Sequence, residues 1–189
     1  MKSFKPQAWV LPQPVLIIGT YDADGTPNAM NAAWGGQCDY HEVMISLGSH
    51  ATTDNLRRDG EFTLAFATAD TLPAADYVGV VSGRKQHDKI ARTGWKSEKG
   101  ANINAPVYDC FPMTMECRIK EKIHESEEGF YLVAEILAIH CKEEYLAADG
   151  KPDVEKMRLI TFDPVHNGYI ELGRRVGNAF HDGLALKEE

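Results

Sequence analysis

Short apolar runs that alternate every second residue, joined by tight turns and interrupted only by brief helical patterns, predict a mainly β fold with short α-helices. Three observations carry this expectation. The run P-V-L-I-I-G-T-Y and the segment N-A-M-N-A-A flank D-A-D-G-T-P, a strong turn signal. Two long alternating stretches, 111–123 and 129–142, are separated only by E-S-E-E-G. No regular β-α-β alternation occurs, and no G-x-G-x-x-G follows a strand, which argues against a doubly wound dinucleotide fold. A succession of antiparallel strands of this kind points to a barrel.

The elements follow in order. Residues 15–21 pair with 28–33 as a hairpin. Residues 41–47 make the next strand, with Val43, Ile45 and Leu47 on one face. Thr52, Thr53 and Asp54 can cap a short helix that runs to Asp59 and stops at Gly60. Residues 62–68 return to strand, with Phe62, Leu64 and Phe66 on one side. Short helices are predicted over 71–77, capped by Asp70 or Thr71, and over 85–93, closed by Gly94. The polar, Gly/Asn-rich stretch 95–106 reads as an ordered loop, and 169–172 as a late strand. With no repeat, low-complexity tract or linker, residues 1–189 are expected to form a single domain.

Composition narrows the function. Hydrophobic content of 43% and charged content of 25% are those of a globular chain, and the net charge of -8 disfavours nucleic acid and anionic membranes as partners. No apolar run reaches the ~18 residues of a membrane span. Pro12 and Pro14 break the opening apolar stretch, which therefore reads as a strand entry and not a leader. Cys38, Cys110, Cys117 and Cys141 form no C-x-x-C pair, so reduced thiols in a cytoplasmic protein are expected. The seven histidines show no zinc spacing, and no G-x-S-x-G elbow is present; no metal and no catalytic side-chain constellation is expected.

Three segments carry candidate chemistry. Ser46, Ser49, His50, Thr52, Thr53 and Asn55 crowd into ten positions at a strand-to-helix turn. Hydroxyls, free backbone N–H groups and a helix dipole can converge there on a phosphate, with Arg57 or Arg58 adding charge; taken alone, the turn better suits an ordinary N-cap followed by a solvated helix. Asn28, Ala29, Met30, Asn31, Ala32, Ala33 and Trp34, followed by Gly35-Gly36, let a flat aromatic ligand approach the main chain, or form a return strand with a bulge. In S-G-R-K-Q-H-D-K, Arg84, Lys85 and Lys89 can neutralise a phosphate, or lead as a solvated loop into a charged helix.

Together these segments resemble the flavin reductase-like family, which includes the flavoredoxins. The resemblance rests on P-Q-P-V-L-I-I-G-T-Y-D-A-D-G-T-P-N-A-M, on the pattern of Ser46, Ser49, His50, Thr52, Asn55, Leu56, Gly60, Glu61 and Phe62, on Ser82-Gly83 with Asp88-Lys89, and on Tyr169, Ile170, Leu172, Gly173, Val176 and Gly177. It spans residues 12–183 in order. It implies a split β-barrel of Greek-key type that binds FMN, usually at the interface of a homodimer. By the same resemblance, the flavin ring lies against backbone and small side chains of Ala29 to Trp34, and Asn28 belongs to the cofactor-binding set. The phosphate sits with Ser46, Ser49, His50, Thr52 and Asn55, and Lys89 and Arg84 close the site. Hydride would come from NAD(P)H to the flavin, and electrons would leave to a free flavin or a redox protein. The alternative is a flavoredoxin-like FMN carrier with little nicotinamide turnover.

Overall fold

A computed structural model describes residues 1–187; the last two residues of the expected 1–189 domain lie outside the described residues. The chain begins with β1 (Gln13–Pro14), β2 (Leu16–Tyr21), β3 (Pro27–Ala32), β4 (Gly35–Asp39) and β5 (Glu42–Gly48). Helix α1 (Ala51–Asp59) leads into β6 (Glu61–Phe66), and α2 (Leu72–Val80) and α3 (Lys89–Thr93) follow. Then come β7 (Ser97–Lys99), β8 (Pro106–Tyr108), the long hairpin β9 (Met113–Ser126) and β10 (Gly129–Cys141), and finally β11 (Ile160–Asp163) and β12 (Gly168–Glu171).

Seven strands form one antiparallel sheet in the order β3-β2-β6-β9-β10-β5-β4. One buried cluster takes Met30 and Ala32 from near one end of that order and Val43, Ile45 and Leu47 from near the other. Leu16, Ile18, Phe62, Leu64, Cys117 and Leu132 lie between them, so the sheet rolls around a shared interior. That roll is the split barrel the sequence predicts. The outer side of β2 and β6 is also covered: Val15, Ile17 and Ala65 pack with Ala75 and Val78 of α2, Ile90 of α3, Tyr108 and Ile160. A strand buried on both faces explains the unbroken apolar text of L-I-I-G.

Several boundaries differ from expectation, each for a local reason. Helix α1 starts one residue earlier, with His50 at the N-cap, so Thr52 and Thr53 occupy the first turn. The Thr53 hydroxyl donates to the Gly48 carbonyl at 2.5 Å and anchors that turn to β5. The helix predicted over 85–93 is helical only over α3; residues 85–88 make a turn in which Lys85 and Gln86 both donate to the Ser82 carbonyl. The expected loop 95–106 contains β7, paired with β8. Strands β4, β1 and β11 were not expected. Glycine-rich β4 is held by pairing with β5, and β1 by pairing with β11 across 148 residues, neither of which local propensity reveals.

Candidate functional site

The junction of α1, α2 and β3 encloses a cavity of about 290 Å³. Its walls are Met30 and Asn31 of β3, His50, Ala51 and Thr52 at the start of α1, residues 78–83 after α2, and Lys89. Sequence order separates these pieces by dozens of residues; the antiparallel return of β3 and the packing of α2 on it bring them together. Two glycines make the approach possible. A Cβ on Gly79 would stand 2.9 Å from the Asn31 Cβ, and one on Gly83 would stand 3.0 Å from Asn28 Oδ1.

The polar groups around this cavity suit an anion. The first N–H groups of a helix lack intrahelical partners, and α1 points that end at the cavity through Ala51 and Thr52. Asn28 Nδ2 donates to Thr52 Oγ1 at 3.2 Å, which leaves the threonine proton free to donate onward. Lys89 is 3% exposed, and among the described residues its ammonium meets the carbonyls of Val81 at 3.2 Å and Val78 at 3.4 Å. Burial pulls its pKa down to about 8, against a weaker opposing pull from Asp22. His50 is pushed below its ordinary value by burial and by the charges of Arg84 and Lys89. These groups repel one another's protons, so an anion bound among them relieves the repulsion. Arg84 clips the rim: its guanidinium reaches Asp54 Oδ2 at 2.7 Å, Ser49 Oγ at 3.2 Å and the His50 carbonyl at 3.3 Å.

Of the residues singled out from the sequence, Met30, Asn31, His50, Thr52 and Lys89 line this cavity, with Asn28, Ser49 and Arg84 beside it. Asn31 spends an amide proton on the Ala75 carbonyl at 3.2 Å, and its Oδ1 remains an acceptor. Asn55 is not brought there. Its amide donates to Asp22 at 2.7 Å and Thr20 at 3.0 Å, and its oxygen accepts from Arg58 at 3.1 Å. Ala29 and Ala32 are buried in the two cores. Ala33 follows the end of β3, and Trp34 and Ser46 line a different hollow with Met44 and Tyr131, on the outer face of β4, β5 and β10. The Ser46 N–H donates to the Trp34 carbonyl at 2.8 Å, which ties that edge together.

Residues 78–81 were missed from the sequence, because V-G-V-V reads as the apolar end of a helix and carries no polar signature. Tyr169 and Asp76 were missed as a pair. The Tyr169 hydroxyl donates to Asp76 at 2.8 Å, and burial together with that carboxylate raises its pKa to about 12.

The Flavin reductase like domain model matches residues 9–153. The fold is similar to the flavoredoxin of Desulfovibrio vulgaris (Miyazaki F), at 31% identity and a TM-score of 0.91, covering 97% of this chain and 99% of that one. It is also similar to a flavoredoxin from Methanosarcina acetivorans, at 26% identity and a TM-score of 0.88, covering 99% and 100% of the two chains. An FMN-binding protein from Thermus thermophilus shares the fold at 16% identity and a TM-score of 0.75, covering 94% and 99%. Comparison with curated proteins found no match. With three quarters of its length under that family model and a flavoredoxin aligned nearly end to end, the chain belongs to the flavin reductase-like family.

Proposed function

We propose that the chain, acting as one domain, binds FMN and passes electrons from NAD(P)H through it to a free flavin or a redox-protein acceptor. The observation that carries this reading is the convergence of Lys89, Thr52 and the first turn of α1 on a single cavity beside Asn31. Those groups hold a phosphate, and Asn31 Oδ1 accepts from a ring N–H. Flavin supplies hydride acceptance and electron release when bound, while this chain's residues bind and orient it. A cavity of about 290 Å³ sits at the low end of the roughly 300–1,000 Å³ of ligand sites, so it suits phosphate and ribityl chain and leaves the ring to run along 31–34 toward exposed Trp34. A ring in that position needs a second wall, which favours a homodimer with FMN at its interface. Four unpaired thiols accord with a reducing, cytoplasmic setting.

The absorption spectrum of the purified protein, followed by titration with FMN, tests the first step. A yellow protein, or one that gains flavin absorbance on reconstitution, is expected; a protein that takes up no flavin overturns the proposal. Rapid NADH or NADPH oxidation with free flavin as acceptor then identifies a reductase. The likeness to two flavoredoxins favours a second reading, an FMN electron carrier. Slow nicotinamide oxidation with fast reduction by a low-potential donor selects it.

A further inference from the structure

Two polar side chains stand directly behind the cavity wall. Tyr169 of β12 lies opposite Phe162 of β11, with the two rings 6.0 Å apart, and its hydroxyl reaches across to α2. There it donates to Asp76 Oδ1 at 2.8 Å. One residue earlier on the same helix, the Ala75 carbonyl accepts from Asn31 Nδ2 at 3.2 Å. A single turn of α2 thus meets β12 through Asp76 and the cavity wall through Ala75. Asn31 comes this close because Gly79, one turn further on, has no Cβ to stand against it. Asn31, Asp76 and Tyr169 are all half-buried, so water competes only in part for their hydrogen bonds.

The order of donors along this path follows from the groups themselves. A main-chain carbonyl only accepts, so the end of Asn31 that faces Ala75 is its amino group. An ionised carboxylate only accepts as well, so the Tyr169 proton goes to Asp76 and the phenol oxygen is left as an acceptor. The Asn31 amide faces that oxygen as a donor, and it works against the rise in the phenol's pKa that burial and Asp76 produce. The amino end of Asn31 is therefore engaged on the α2 and β12 side, and Oδ1 is left to the cavity. Were the Tyr169 proton not drawn off by Asp76, it could point at Asn31 instead and favour the reversed amide, with nitrogen toward the cavity.

We infer, on the FMN reading given above, that Asp76 and Tyr169 are positioning residues that hold the Asn31 amide with its oxygen toward the ligand. The site thereby selects a ring that offers an N–H at that point, which in oxidised flavin is the one at N3. Neither residue touches the ligand; both act through Asn31. A ring with a methyl group in place of that proton leaves Oδ1 facing the cavity without a donor, and a polar site rejects such an analogue far more strongly than an apolar one does.

Titration of the full chain with FMN and with 3-methyl-FMN, read by flavin fluorescence, tests this in wild type, Asn31→Ala, Tyr169→Phe, Asp76→Ala and the Tyr169→Phe/Asp76→Ala double variant. Wild type should bind FMN roughly 10- to 100-fold more tightly than the methylated analogue, and Asn31→Ala should bind the two about equally. Tyr169→Phe and Asp76→Ala should each cut the wild-type preference by about fivefold or more, by weakening FMN while 3-methyl-FMN changes little. The double variant should be no worse than the worse single one, because both substitutions act on one amide. The two variants lie on different elements, so a folding failure in one leaves the other to decide. A preference unchanged in both, or an equal loss of both flavins, overturns the positioning role and leaves FMN binding standing. A wild type that binds the two flavins alike overturns the contact between Asn31 and N3–H, and one that takes up no FMN overturns the proposed function itself.

Discussion

Lys89 places a cation where water scarcely reaches it, and this cost has a measurable pH signature. Its folded pKa of about 8 lies below the roughly 10.4 of an exposed lysine. Between those values the unfolded chain holds the proton and the folded, flavin-free chain releases it, so stability rises with pH across that window; below pH 8 the cost is fully present. Thermal unfolding of flavin-free wild type and Lys89→Met from pH 7 to 10 should show the wild type gaining on the variant as pH rises. Ligand binding reverses the sign. A phosphate beside Nζ favours the charged lysine, so FMN affinity should fall as pH climbs past about 8. Lys89→Met should bind roughly 10- to 100-fold more weakly at pH 7 and lose that dependence, read by quenching of FMN fluorescence. Thr52 and Asn55 give a contrast at the same scale. Thr52→Ala should weaken FMN by about 1–3 kcal/mol, whereas Asn55→Ala should lower stability, through its bonds to Thr20, Asp22 and Arg58, with affinity little changed. Both residues belong to one hydroxyl- and amide-rich run. Only the helical phase of α1, which starts at Ala51 and is anchored by the Thr53 hydroxyl on the Gly48 carbonyl, turns Thr52 to the cavity and Asn55 away.

Among the elements, α2 and the loop before β8 show how side chains set backbone position. Gly79 lets α2 lie against Asn31, and Gly79→Ala should cost about 1–3 kcal/mol, seen as a lower midpoint in urea with the slope unchanged. Glu116 on β9 is fully buried and gathers the N–H groups of Ala101 at 2.7 Å and Asn102 at 2.9 Å, the Asn102 amide at 2.7 Å, and His140 at 3.2 Å. Burial opposes its charge, but the bonds from Asn102 and Ala101 and the nearby His140 prevail and hold its pKa below the ordinary carboxylate value. Its contribution is therefore present above about pH 4.3 and lost as pH falls through that lowered value. Glu116→Gln should free residues 101–104, read as faster amide exchange there, and flatten the acid side of the stability profile. Elements with local signals were legible: the β9–β10 hairpin, the Gly60 and Gly94 stops and the β2–β3 turn all stand where alternation and glycine put them. Elements held by distant partners were not. Strand β4 has two glycines and takes its conformation from β5, and β7 exists because β8 returns beside it.

For the molecule as a whole, a ligand that binds only the folded chain stabilises it by mass action. FMN at a hundredfold excess over its dissociation constant adds about 2.7 kcal/mol, which for a chain of this size raises the melting midpoint by roughly 5–11 °C. Differential scanning fluorimetry with FMN and with riboflavin separates the phosphate's share, since riboflavin lacks the group proposed to sit at Lys89 and α1. The barrel itself was readable from the order of strands. Its second core was not, because Ala29, Ala65 and Ala67 carry no apolar signature strong enough to announce the cover of α2 and β11.

The pairing of β1 with β11 joins residue 13 to residue 162 and sets a timetable. During synthesis the first strand leaves the ribosome with its partner still unmade, and some 150 residues must follow before the Gln13 N–H finds Thr161. The barrel strands meet their neighbours earlier, so the small sheet closes last, as a clasp on a body already formed. A chain stopped at residue 153, where the family model ends, would lack β11 altogether and remove Ile160 and Phe162 from the second core. Such a fragment should aggregate when expressed alone and regain solubility when residues 154–187 are supplied as a separate peptide.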